Sequence, residues 1–207
     1  MTTRCHWVDL SKPDYVAYHD EEWGKPVLED TKLFEFITLE SAQAGLSWYT
    51  ILKKRDNYRA AFHQFDPHKV AAMTEEDVIK LMDNAGIIRN KLKIQATINN
   101  AKRFIEIQQE FGSFAYYQWQ FVNFEPIVST IHSPQDYQAT TEISTQFAKD
   151  LKKRGFKFLG PTTVYAHMQA CGMVNDHHDD CFCKAPILEM YQQLDIKAQL
   201  SNQKYGT

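Results

Sequence analysis

Four residues with the chemistry to hold a metal ion lie at opposite ends of this chain: Cys5 and His19 near the start, His177 and Cys181 near the end. Two thiolates and two imidazoles fill the tetrahedral shell of Zn²⁺, and a filled shell marks a structural site, since catalytic zinc keeps one position open. The spacing His177-x3-Cys181 places that pair on one face of a helical turn or within one tight loop. The benefit is a crosslink between segments more than 150 residues apart that forms only in the folded chain. His178 and Cys183 stand beside the pair as rival donors, so spacing alone leaves the choice within His177-His178 and Cys181-x-Cys183 open. Ordinary buried thiols and surface histidines are the plainer alternative.

Two other segments crowd aromatic rings against acids. Tyr15-Val16-Ala17-Tyr18-His19-Asp20-Glu21-Glu22-Trp23-Gly24 surrounds one of the metal candidates. Glu40-Ser41-Ala42-Gln43-Ala44-Gly45-Leu46-Ser47-Trp48 sets a carboxylate shortly before a helix end and an indole at the start of the next helix. A nucleobase turned out of a duplex needs a flat surface to stack on and polar groups that read its edge. Tyr18 and Trp48 can supply the faces, and Glu40 can accept from an exocyclic amine. Taken singly, each ring reads as core packing and Glu40 as a solvated helical acid.

The stretch Leu81–Lys91 joins two expected helices by a short turn. Gly86 is expected to supply a left-handed residue that ends the first helix. Asn90 can cap the second, leaving its first-turn N–H groups open to a phosphate, with Arg89, Lys91 and Lys93 around them and Ile88 in the turn. Such a hairpin grips the sugar-phosphate backbone without reading sequence. Lys53-Lys54-Arg55 and Lys152-Lys153-Arg154 with Lys157 are further basic clusters, each equally readable as a solvated helix end.

The elements that must position these groups are helical nearly throughout. Asp30 is expected to cap a helix carrying Leu33, Phe34, Ile37 and Ala44 at helical spacing, with Gly45 as its stop. Ser47 caps the next, Asp66-Pro67 opens another, and Thr74-Glu75-Glu76-Asp77 reads as a capping box. A long helix follows Asn90, and others start at Ser113, before Ile143, and at Pro161-Thr162. No period-2 run supports a sheet, so the expected class is all-α. Residues 1–184 read as one domain, with a tail over 185–207 that is either a docked helix or a frayed end.

At 207 residues and a net charge of −3, attraction to nucleic acid must come from local basic patches. No apolar run approaches the ~20 residues of a membrane helix. The start Met1-Thr2-Thr3-Arg4-Cys5 carries no secretory pattern, so a cytoplasmic monomer is expected. In that reducing compartment the four cysteines, Cys5, Cys171, Cys181 and Cys183, are not read as disulfides.

In sequence the chain resembles the type I 3-methyladenine DNA glycosylases. The matching blocks are Arg4-Cys5-x-Trp7, Tyr18-His19-Asp20-x-Glu22-Trp23-Gly24, Leu39-Glu40-x-x-x-Ala44-Gly45-Leu46-Ser47-Trp48, Ala85-Gly86-Ile87-Ile88-Arg89, Lys152–Phe158, and Met168-Gln169-Ala170-Cys171-Gly172-x-Val174-Asn175-Asp176-His177. They run in order over residues 4 to 183. The resemblance implies a helix-hairpin-helix fold, with the hairpin near 78–104, and one structural zinc on Cys5, His19, His177 and Cys181. It implies base recognition by Glu40, pocket walls from Tyr18, Trp23 and Trp48, and Gly45-Leu46 near the gap left by the everted nucleotide. The implied activity is monofunctional excision of 3-methyladenine from alkylated double-stranded DNA, releasing the free base. Two other classes compete: a zinc-stabilised DNA-binding module without catalysis, and a zinc hydrolase, which a closed four-ligand site disfavours.

Overall fold

The side chains expected to start helices do so through local hydrogen bonds. The Ser47 hydroxyl accepts from Thr50 N–H, Asp66 from the N–H groups of His68 and Lys69, Asn90 from Lys93 and Ser113 from Tyr116. Thr74 and Asp77 close the expected capping box. Each bond satisfies a donor that the first helical turn leaves unpaired.

The computed structural model describes residues 3–203. Its helices are α1 (Pro13–Glu21), α2 (Asp30–Ala42), α3 (Trp48–Lys53), α4 (Arg55–Ala61), α5 (Pro67–Ala71) and α6 (Glu75–Met82). There follow α7 (Lys91–Phe111), α8 (Phe114–Trp119), α9 (Glu142–Lys153), α10 (Pro161–Ala170), α11 (Lys184–Gln193) and α12 (Ile196–Gln203). The all-α expectation needs one amendment. Ile127–Val128 (β1) and Val174–Asn175 (β2) pair in parallel, Ile127 opposite Val174. Two residues per strand are too few to show a period in the sequence.

Helix α2 is the axis of the core. Every residue from Leu33 to Ala42 is buried, and α3, α7, α8 and α10 pack around it. A helix enclosed on all sides should be apolar all round, yet α2 carries Glu35 and Glu40 within this stretch.

Asp30 does not cap α2; Glu29 holds that position, without a side-chain cap. The Asp30 carboxylate instead accepts from Phe114 N–H, Ala115 N–H and the Gln108 amide at 2.7–2.9 Å, capping α8 from 84 residues away. The turn after α2 departs from helical geometry at Gly45, whose φ is +81°. Gly86 is not left-handed, contrary to expectation. It is glycine because a Cβ there would lie 2.9 Å from Asn57 Cγ. The 185–207 tail is helical as far as Gln203, with Ile187, Ile196 and Leu200 buried; its last four residues lie outside the described ones.

Candidate active site

The four expected metal ligands converge. Cys5 Sγ lies 3.5 Å from His177 Nδ1, and Cys181 Sγ lies 3.5 Å from His19 Nε2 and 3.6 Å from His177 Nδ1. A tetrahedral ion with Zn–S of ~2.3 Å and Zn–N of ~2.0–2.1 Å requires a sulfur–nitrogen edge of about 3.6 Å. The donor set could therefore hold such an ion, and all four residues are buried.

The outward nitrogens of both rings are committed. His19 Nδ1 bonds Asp20 at 2.7 Å, and His177 Nε2 donates to the Trp23 carbonyl at 3.0 Å. Each bond fixes the tautomer that leaves the inward nitrogen free to ligate. Asp20 is held in turn by a two-point contact from Arg4 at 2.9 and 2.7 Å. The rivals fall away on geometry. His178 spends its two nitrogens on Asp180 and the His132 carbonyl. Cys183 Sγ lies outside the quartet, 4.0 Å from the Asp20-facing nitrogen of His19 and 4.0 and 3.9 Å from the His19 and Asp20 carbonyls. His177 and Cys181 sit in a turn between β2 and α11, not on a helix.

This cluster builds one wall of a cavity. The Trp23 ring meets the His177 ring edge-on at 4.7 Å, stacks over His19 at 6.4 Å and meets Trp7 at 4.9 Å. Gly24 next to it has φ +83°, and a Cβ there would press on His177 Nε2 at 2.9 Å. Only glycine allows the indole and the imidazole to approach this closely.

The cavity, of about 520 Å³, is lined by Trp7, Tyr15, Tyr18, Trp23 and Trp48, with Glu40, Gln43 and Gln169 among its polar groups. Tyr18 and Trp48 lie 5.5 Å apart with planes inclined at 44°. The Trp48 indole N–H is buried with no hydrogen-bond partner among the described residues. Glu40 is 5% exposed, and no group among the described residues bonds its carboxyl. Burial alone pushes its pKa up to about 8. After burial itself, the Glu40 charge is the next influence lifting the Tyr18 phenol. The acid and rings expected to make a pocket are thus brought together.

The expected DNA contacts cluster less tightly. Gly45 and Leu46 occupy an exposed turn between Glu40's helix and Trp48. Arg89 is exposed, whereas Lys91 pairs with Glu75 at 2.7 Å in a bridge half open to solvent. Gly86 and Ile88 turn their N–H groups inward, to Asn84 Oδ1 and the Tyr58 hydroxyl. Lys93 reaches back to the carbonyls of Ala42 and Ala44, both at 2.9 Å, joining the hairpin to the 43–47 turn. In the basic clusters Arg55 is held by Glu22 and Arg154 by Glu110 and Asp150, leaving Lys152, Lys153 and Lys157 exposed.

Sequence reasoning marked Lys152–Phe158 as a basic cluster and a matching block but gave no account of the backbone that joins α9 to α10. There Gly155 has φ +91°, and Phe158, 43% exposed, has φ +59°. The Asn100 amide brackets it, donating to the Lys157 carbonyl and accepting from the Lys157 N–H. The uncommon backbone of Phe158 carries no sequence signal. Trp7, Tyr15, Gln43 and Gln169 were also missed as lining residues, although all but Tyr15 fall within or beside the quoted blocks.

A family model described as methyladenine glycosylase matches residues 7–184. The chain is 54% identical to DNA-3-methyladenine glycosylase 1 of Escherichia coli (strain K12) over 180 residues, covering 87% of this chain and 96% of that protein. A crystal structure of 3-methyladenine DNA glycosylase I superposes with a TM-score of 0.85 at 54% identity, over 87% of this chain and 99% of the other. A variant of such an enzyme solved in complex with 3-methyladenine has a TM-score of 0.85 at 40% identity, over 87% and 97%. With more than four-fifths of its length matched in both sequence and structure, the chain belongs to the methyladenine glycosylase family.

Proposed function

We infer that this enzyme removes 3-methyladenine from alkylated double-stranded DNA by monofunctional base excision, acting as a cytoplasmic monomer with one structural zinc. The observation that carries the reading is Glu40: a carboxyl with no partner among the described residues, buried in a cavity walled by Tyr18, Trp23 and Trp48. Burying an unpaired acid is costly, so its counter-charge is expected from a ligand.

An adenine methylated at N3 carries positive charge while bonded to deoxyribose. When the N-glycosidic bond breaks, its electron pair moves to the base, which leaves neutral without protonation. The sugar passes through an oxocarbenium-like state, water adds at the anomeric carbon, and its proton goes to solvent. The residues must then evert the base, hold the cation and exclude ordinary adenine. Tyr18, Trp23 and Trp48 supply the stacking faces. Glu40 supplies negative charge in a site of low dielectric, where it favours the cationic base over the neutral one. Entry of the cation lowers the Glu40 pKa from about 8, so its ionisation is coupled to binding.

In this reading the exposed Gly45-Leu46 turn enters the gap left by the base. The turn at Gly86–Arg89 and the start of α7, with Lys91, meet phosphates as a helix-hairpin-helix clamp. The α9–α10 connection with Lys152, Lys153 and Lys157 offers a second contact. Zinc on Cys5, His19, His177 and Cys181 ties the chain ends together and, through Trp23, holds the cavity wall.

The test is release of methylated bases from alkylated duplex DNA by the wild-type and Glu40→Gln proteins. Wild type is expected to release 3-methyladenine and leave 7-methylguanine, with excision by Glu40→Gln at least about tenfold slower. Full excision by Glu40→Gln, with unchanged affinity for free 3-methyladenine, would remove Glu40 from the mechanism.

A further inference from the structure

Gln169 lies on the α10 wall of the aromatic cavity, one helical turn beyond Tyr165. Behind it is Asp176, 1% exposed, whose Oδ2 accepts from the Tyr165 hydroxyl at 2.5 Å and from Gln169 Nε2 at 2.8 Å. A carboxylate only accepts hydrogen bonds, so the side-chain amide of Gln169 has one workable orientation. Its NH₂ group faces Asp176. The reversed amide would set oxygen against the carboxylate oxygen and lose this bond.

The other end of that amide, Oε1, has no hydrogen-bond partner among the described residues. Asp176 and Tyr165 face a different cavity, of about 480 Å³, which Gln169 does not line. Gln169 thus lines the aromatic cavity with its donor end anchored to Asp176, which leaves its acceptor end unspent.

We propose that Gln169 is a specificity-determining residue: a fixed acceptor that shares with Glu40 the reading of the exocyclic amine of the everted base. An exocyclic amine has two N–H groups, and the two acceptors can take one each. A base carrying a carbonyl at that position, as alkylated guanine does, would bring its oxygen against both. Stacking rings cannot make that distinction, because they hold any flat base. Buried acceptors left unpaired can, since a site built to bond a polar group rejects the analogue that lacks it. The inference rests on the reading of the Glu40 cavity as the base site.

The experiment measures binding of free 3-methyladenine and of 3-methylpurine, which lacks the amine, to wild type and to Gln169→Met. Methionine keeps the length of the side chain and removes the acceptor. Wild type is expected to prefer 3-methyladenine, and Gln169→Met to lose about tenfold of that preference, through weaker binding of 3-methyladenine alone. Asp176→Asn, checked for unchanged metal content, frees the amide to turn and is expected to lose preference in the same direction. Equal weakening of both bases in Gln169→Met means a structural role only and overturns the proposal. A preference lost in Glu40→Gln but intact in Gln169→Met also overturns it while leaving the Glu40 reading standing. No preference in wild type sinks both.

Discussion

Glu35 and Glu40 stand five positions apart on the same buried helix, 6% and 5% exposed, and among the described residues only Glu35 has cations paired with it. Arg59 grips Glu35 at 3.0 and 2.8 Å, and Lys32 adds a contact at 3.3 Å. Nothing comparable reaches Glu40. A fold able to neutralise one buried acid has left the other bare, facing aromatic rings. The difference separates a structural carboxylate from one waiting for a charged ligand.

That bareness should be measurable as a stability cost that grows with pH. In the unfolded chain Glu40 ionises near 4.5; in the folded chain it holds its proton to about 8. Between those values the native state binds the extra proton, so wild-type stability falls as pH rises and levels off above 8. Glu40→Gln lacks this loss. Its melting temperature should match wild type near pH 4.5, exceed it increasingly up to pH 8, and hold a constant lead above. The final difference should be on the order of a few kcal/mol. Thermal melts across pH 4.5–9 check it, and a difference that does not change with pH would mean that Glu40 is already ionised in the empty cavity.

What could be read from the sequence was what depends on near neighbours or on donor chemistry. The caps at Ser47, Asp66, Asn90 and Ser113 each bond within three residues, so a short window contains both partners. Donor chemistry showed that the two chain ends could share a metal, but the choice of His177 over His178 and of Cys181 over Cys183 came from the resemblance. Asp30 was misread because its carboxylate serves a helix 84 residues away. Gly86 was misread because its constraint is the approach of Asn57, not its own backbone angle. The Gln169–Asp176 bond has no local signature at all. A glutamine seven residues before an aspartate becomes informative only when β2 folds back beside α10.

Removing the metal should loosen the base cavity as well as the fold. The candidate ligands His19 and His177 both meet the Trp23 ring, so an ion held by them would also steady one cavity wall. Wild type should bind one zinc per chain. Cys181→Ser should lose it, lower the melting temperature by roughly 10 °C or more, and bind free 3-methyladenine more weakly. Metal analysis and calorimetry on the two proteins test this. Retention of full stability without bound metal would show that the cluster needs no ion.

Lys93 should matter to DNA and not to the free base. Its ammonium is held by the Ala42 and Ala44 carbonyls, which join the hairpin to the 43–47 turn, and burial lowers its pKa. Lys93→Met cuts that link without touching the cavity lining. The expected result is a KM for alkylated DNA raised about five- to tenfold, with affinity for free 3-methyladenine unchanged. Parallel losses in both measurements would instead place Lys93 among the residues that merely hold the core together.

The tail should act as a brace for the metal-bearing wall. The family match stops at residue 184, yet α11 and α12 continue and are docked. Tyr191 donates to the carbonyls of Gly24 and Gly172 at 3.0 and 3.3 Å, and Ile187 packs beside Gly24. Gly24 follows Trp23 and touches His177, so the tail bears directly on the turn that joins metal cluster and cavity. Tyr191→Phe keeps the ring and removes only the hydroxyl, which should cost about 1 kcal/mol and leave excision unaltered. Ending the chain at residue 184 also exposes the surfaces that Ile187, Ile196 and Leu200 cover. Each such side chain contributes ~1.5–3 kcal/mol when buried. The truncated protein should therefore melt roughly 10 °C lower and release zinc faster to a chelator, while still excising 3-methyladenine below its new melting point. Chelator-release kinetics separate this from a passive appendage, whose removal would leave the zinc off-rate where it was.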